Sequence, residues 1–105
     1  MRIAAFGLAT VAAALVAGSA LAATPTTDLD YLKANRCKGL ATGSGGNAGT
    51  FDAYIKATGK TRTSYVLQKG EDEFDRARRE SKTTNSERRE RLARELAGPC
   101  AAYSG

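Results

Sequence analysis

Cys37 and Cys100 are the only two cysteines in the chain, and their number and placement constrain their chemistry closely. A pair with no third thiol has one intramolecular connectivity, and an oxidising compartment makes that pair a disulfide. The loop so closed spans roughly 60 residues, for which chain-entropy arithmetic gives about 4 kcal/mol of stabilisation.

A second group is defined by charge. Between Arg76 and Arg94 stand eight basic residues, Arg76, Arg78, Arg79, Lys82, Arg88, Arg89, Arg91 and Arg94, against the three acids Glu80, Glu87 and Glu90. Such a surplus suits an anionic surface, such as lipopolysaccharide, a polyanionic glycan or nucleic acid. The competing role is a solvated helix face. Asp72 and Arg76, Asp75 and Arg79, Glu87 and Arg91, and Glu90 and Arg94 are acid-before-base pairs at i,i+4, each worth about 0.2–0.5 kcal/mol. Nucleic acid is the weakest of the three partners, because no aromatic residue falls between Phe74 and Tyr103 to stack on bases. The expected partner is an envelope protein or an anionic glycan or lipid surface.

Other chemistry is poorly supplied. The chain has no histidine, the usual acid-base group near neutral pH and the usual partner of a serine or cysteine nucleophile. Paired carboxylates could cleave glycosides, but they need a cleft that a small helical domain has little room to form, so no enzyme activity is expected. Glu71-Asp72-Glu73 with Asp75 lacks the spacing of a twelve-residue calcium loop and reads as acidic charge at a helix start. With no histidine, and both sulfurs in a bridge, no soft ligand is left for a transition metal. No metal or cofactor is therefore expected. Gly43-Ser44-Gly45-Gly46-Asn47-Ala48-Gly49 lacks the Gly-Lys-Ser/Thr ending of a phosphate loop and reads as a flexible linker.

These residues need elements to position them. Arg2, an uncharged alanine-rich stretch and the small-residue ending Ala20-Leu21-Ala22 predict a signal peptide over 1–22, cleaved near Ala22, and so a periplasmic or secreted product with no stable transmembrane segment. Cleavage removes 22 of the 105 residues and leaves 83, with fifteen basic residues against eleven acids. A core of that size supplies about 3–5 kcal/mol, so a covalent staple is expected. Residues 23–27 form a disordered lead, and 28–105 a single domain.

Within it, Thr27 is placed to cap a helix carrying Asp28 and Asp30 in its first turn, with Leu29, Leu32, Cys37 and Leu40 near one face and an end by Gly43. Phe51, Tyr54 and Ile55 predict a short helix over 50–59. The run Tyr65-Val66-Leu67 suits a strand, but Val66, Gly70, Phe74, Ala77 and Ser81 continue at helical spacing, with Gly70 as a break or a close-packing point. Thr84 and Glu87 have capping-box spacing for a last helix, with Leu92, Ala93, Leu96 and Ala97 as its stripe and Gly98-Pro99 as its stop. The predicted fold is all-α, a small bundle of three to four short helices with one disulfide linking the first and last. Its predicted core is Leu29, Leu32, Leu40, Phe51, Tyr54, Ile55, Val66, Leu67, Phe74, Leu92 and Leu96.

Two roles fit this outline: an exported binding or accessory module using the Arg-rich stretch, or an envelope holding factor triggered by protonation of Asp28, Asp30, Glu71, Asp72, Glu73 and Asp75. A small hydrolase is the outlier. In architecture alone the chain is similar to small, all-helical, single-disulfide periplasmic acid chaperones, with a comparable mature length and two cysteines. It shares no motif with them, and its cysteine spacing is longer.

Overall fold

The computed structural model describes residues 26–104, so the leader over 1–22, its cleavage near Ala22 and most of the 23–27 lead lie outside the described residues. The described chain forms α1 (Asp28–Ser44), a 3-10 turn (Ala48–Phe51) leading into α2 (Asp52–Gly59), then α3 (Ser64–Glu80), α4 (Ser86–Ala97) and a closing 3-10 turn (Pro99–Tyr103). No strand occurs among the described residues, and Tyr65-Val66-Leu67 lies within α3. No described helix is long and apolar enough to cross a membrane.

The helix ends follow capping chemistry. The Asp30 backbone N–H donates to the Thr27 hydroxyl at 3.2 Å, and the Thr27 N–H donates to the Asp30 carboxylate at 3.0 Å, a reciprocal box that satisfies two otherwise orphaned donors. α1 runs past Gly43 to Ser44 and stops where Gly45 turns left-handed at φ 81°, its N–H reaching the carbonyls of Ala41 and Thr42. The glycine-rich run is thus one helix end and one tight turn, shorter than the linker expected over 43–49. Thr63 caps α3 by accepting from the Val66 N–H at 3.2 Å. The cap expected at Thr84 falls one residue later, where the Asn85 carboxamide accepts from Arg88 N–H at 2.8 Å. Asparagine is at least as good in that role as threonine.

α1 is the central helix. Tyr31, Ala34, Asn35, Cys37, Gly39, Leu40 and Ala41 are all buried, and at 3.6 residues per turn they lie round most of its circumference. α3 lies along one side of it. A Cβ on Gly39 would meet the Phe74 carbonyl and stand 2.9 Å from Ala77 Cβ, and one on Gly70 would stand 2.6 Å from the Tyr31 ring and 2.9 Å from the Asn35 amide. Glycine at these positions lets the two helix backbones approach closely, so α3 continues unbroken through Gly70. On another side of α1, Cys37 and Ala41 pack with Phe51 and Cys100. Leu40 packs with Ala77 and Leu92, and Leu96 touches both clusters.

Cys37 and Cys100 are joined in a disulfide, their Cα atoms 5.7 Å apart and their exposures 3% and 0%. Cys100 sits in the closing turn, three residues past the end of α4, so the bond pins the foot of that helix to the third turn of α1. Tyr103, on the same turn, makes an edge contact with Tyr54 at 5.1 Å between ring centroids and donates to Asp30 at 3.4 Å. Burial, and then the Asp30 charge, pushes both phenols up. Arg62 donates to Asp28 at 2.7 Å and to the Thr58 carbonyl at 3.0 Å, closing the α2–α3 connection onto the start of α1.

Two expected core residues are not core. Leu29 is 56% exposed and Leu67 36%. A one-face count misplaces Leu29 because α1 buries residues on several sides after its first turn, including Tyr31 and the small Ala34 and Ala41. Leu67 lies one residue round from Val66 and covers Gly59 from outside, where a Cβ would be 3.7 Å from its Cδ2. Leu32, Tyr54, Ile55, Phe74 and Leu96 are half-buried, and Leu40, Phe51, Val66 and Leu92 are buried.

Two outcomes follow. Gly70→Ala, which helix propensity alone would make stabilising by about 1 kcal/mol, should instead destabilise by about 1–3 kcal/mol through overpacking against Tyr31 and Asn35. Urea unfolding of the variant decides the sign. The Thr27 N–H holds the Asp30 carboxyl below the ordinary carboxylate range, with burial opposing and the Thr27 and Tyr103 hydroxyls adding to the effect. A depressed folded-state pKa contributes stability above the unfolded value of about 3.9 that is lost as pH falls through the folded value. The stability gap between wild type and Asp30→Asn, measured by urea unfolding, should therefore be full at neutral pH and shrink below about pH 4. A pH-independent gap would contradict it.

Candidate functional site

The eight basic residues are distributed over three pieces of backbone. Arg76, Arg78 and Arg79 lie in the last turns of α3, Lys82 in the α3–α4 connection, and Arg88, Arg89, Arg91 and Arg94 on α4. Arg78 and Arg79 also complement the carbonyl end of the α3 dipole. The structure does not gather the set on one helix face. With 3.6 residues per turn, Arg89 and Arg94 project about 140° apart round α4, Arg89 about 60° from the inward-facing Leu92 and Arg94 nearly opposite it. Only Leu92 of α4 is buried, with Glu95 and Leu96 half-buried, and every arginine on it is exposed.

Their pairing differs from the spacing-based expectation. Arg76 meets Glu73 at 2.9 Å and Arg78 approaches Asp75 at 3.7 Å, both one step closer in sequence than i,i+4. The Nε of Arg78 is buried without a hydrogen-bond partner among the described residues. Arg79, Lys82, Arg88, Arg89, Arg91 and Arg94 form no ion pair among the described residues. The exposed acids beside them, Glu87 and Glu90, leave those charges without direct contact.

The arginine that the structure uses most heavily lies elsewhere. Arg36 of α1 donates through Nε and Nη2 to both oxygens of Glu95 on α4, at 2.7 and 3.0 Å. Its Nη1 donates to Glu80 at the end of α3, at 3.0 Å. One guanidinium thus clamps three helices, in the forked geometry that makes arginine–carboxylate pairs strong. The bonds it donates to Glu95, opposed by burial and reinforced by Glu80, raise its pKa further above its already high ordinary value, so it stays charged. The charge and apolar patterns give Arg36 no role, although at 100° per residue it falls between Leu32 and Leu40 on the apolar face. The available signal was its place beside Cys37, with Glu95 one and a half helical turns before Cys100: once the sulfurs are joined, these neighbours must meet.

Beside this clamp lies an open cleft of about 1040 Å³, between the end of α1, the α3–α4 connection and α4. Leu40, Leu92 and Leu96 form its inner side, and Lys82, Arg89 and Glu90 stand at its edge. It brings together two of the eight basic residues. No group of three or more His, Cys, Asp or Glu side chains among the described residues is placed to hold a metal. The arrangement offers apolar surface, hydroxyls and cations, which is binding chemistry. Comparison with known protein families, curated proteins and solved structures finds no match for this chain.

Removing the clamp should loosen α4 without abolishing the fold. Arg36→Ala leaves Glu80 and Glu95 facing each other unpaired, and the partial exposure of the contacts, 25–32% of each side chain, limits the loss to about 1–2 kcal/mol. Urea unfolding should show that loss, and Arg36→Lys should recover only part of it because an ammonium cannot fork. Equal stability of all three proteins would mean the clamp contributes nothing.

Proposed function

We propose that the protein is a small exported binding module that docks an anionic envelope partner through the cations of α4 and the α3–α4 connection. One observation carries this reading: six cations, Arg79, Lys82, Arg88, Arg89, Arg91 and Arg94, stand exposed and form no ion pair among the described residues. Only Glu87 and Glu90 stand exposed beside these six cations, too few to balance them, whereas α3 pairs Arg76 with Glu73. An uncompensated cluster instead raises the local concentration of anions and steers them in. The export part of the reading rests on the residues of the leader. The buried Cys37–Cys100 bond supports it, since such bonds persist where thiols are oxidised.

The positions of the cations limit the geometry. Because Arg89 and Arg94 diverge round α4, a flat surface would contact only part of the set, while a flexible polyanion could follow the helix. Arg78, half-buried and drawn towards Asp75, contributes least.

The test is binding of the processed protein to a sulfated glycan such as heparin, and to anionic vesicles, over a salt series. Screening lengths fall to about 8 Å at physiological ionic strength, so affinity should drop at least tenfold between 50 and 300 mM salt, by about the slope expected for several released counterions. Replacing Arg88, Arg91 and Arg94 by Gln should remove most of that slope, whereas Arg76→Gln should not. Salt-insensitive binding, or none to either material, would overturn the reading.

A further inference from the structure

We infer that the cleft between the end of α1, the α3–α4 connection and α4 is a binding site for a single-chain anionic amphiphile, an alkyl carboxylate or alkyl phosphate. This rests on the reading of the α4 cations as receivers of anions, and narrows it to one ligand class at one place.

The cleft is polarised along α4. Near the helix start it is lined by Lys82, Thr84, Ser86 and Arg89. Neither cation has an ion pair among the described residues. Within one turn of Arg89 the lining changes to Leu92 and Ala93, and it continues through Leu96 and Ala97. From Arg89 to Ala97 the helix rises about 12 Å, so a medium alkyl chain with its head at Arg89 would lie along the apolar stretch to its far end. Glu90 is the one acid on the edge and leaves a net positive charge there.

The apolar end is open for a reason visible in the residues. Ala93 and Ala97 are exposed and carry only methyl groups, so the space beside them is not filled by side chains of α4 itself. Leu40 and Leu92, both buried, form a floor that belongs to the protein core and is therefore rigid. A small hydrophilic anion would leave that half of the cleft in contact with water, and a neutral alkyl ligand would leave the cations unanswered. An anionic head with an alkyl tail satisfies both ends. The volume of the open cleft, about 1040 Å³, lies just above the range of about 300–1,000 Å³ for small-molecule clefts.

The probe is dodecyl phosphate below its micelle concentration, followed by calorimetry and by amide chemical shifts in the processed protein. Saturable 1:1 binding is expected, with shifts concentrated at residues 81–97. Butyl phosphate and inorganic phosphate should bind at least tenfold more weakly, as should dodecyl maltoside. Ala97→Glu, an exposed substitution whose folding is checked by circular dichroism, should weaken dodecyl phosphate at least tenfold by placing a carboxylate that must be desolvated against the alkyl tail. Lys82→Gln with Arg89→Gln should do the same at the head. Arg91→Gln with Arg94→Gln should leave it unchanged while weakening heparin. Absence of saturable binding, equal binding of the short or uncharged ligands, or indifference to Ala97→Glu would each overturn the inference. Retained salt-sensitive heparin binding under those outcomes would leave the broader reading of α4 standing.

Discussion

The buried bond between Cys37 and Cys100 is the constraint on which the arrangement of this small molecule depends. It joins the middle of the central helix to the chain just beyond the last one, and its sulfurs are themselves core, packed with Ala41 and Phe51. Every polar contact that orients α4 lies within reach of that anchor. Glu95 can meet Arg36 because the foot of α4 is already held one residue along α1. Tyr103 can reach Asp30 and Tyr54 because the closing turn cannot swing away. Without the anchor, α4 would be held by Leu92, Leu96 and one exposed-edge ion cluster, a thin attachment for a helix whose other residues face water.

The rest of the molecule is organised round α1. Its small residues allow α3 to lie against it backbone to backbone, and its Leu40 receives α4. Dense packing on the α3 side contrasts with the open side between α1 and α4, where alanines replace larger side chains and the cleft remains. The same helix that carries most unpaired positive charge is thus the one least embedded in the core. Strong local charge and shallow burial go together, because a helix with many arginines has few positions left to bury.

What was legible in the residues follows from local rules. Thr27 with Asp30, the stop at Gly98-Pro99, and the helical count through Val66, Gly70 and Ala77 depend on neighbours three or four positions away, and the structure bears them out. The disulfide was readable because two sulfurs allow one answer. What escaped depends on relations between distant segments. Leu29 looked like core because large apolar residues were counted, whereas α1 is buried through Tyr31, Asn35, Gly39 and Ala41, residues whose smallness or polarity hides their role. Arg36 was invisible for the same reason: its partners are 44 and 59 positions away. The Arg-rich stretch was legible as composition, but its division between two helices, and the divergence of Arg89 from Arg94, required the fold.

Closure by sulfur makes the described chain a ring with two short tails, running from Cys37 through three helices to Cys100. Gly45, Gly46 and Asn47, in the turn after α1, are exposed links of that ring. Scission there by a protease would convert the ring into a nicked but undivided molecule: the severed ends could separate locally, yet no fragment could diffuse away. Such a chain keeps α1, α3 and α4 covalently joined after one backbone break in that turn.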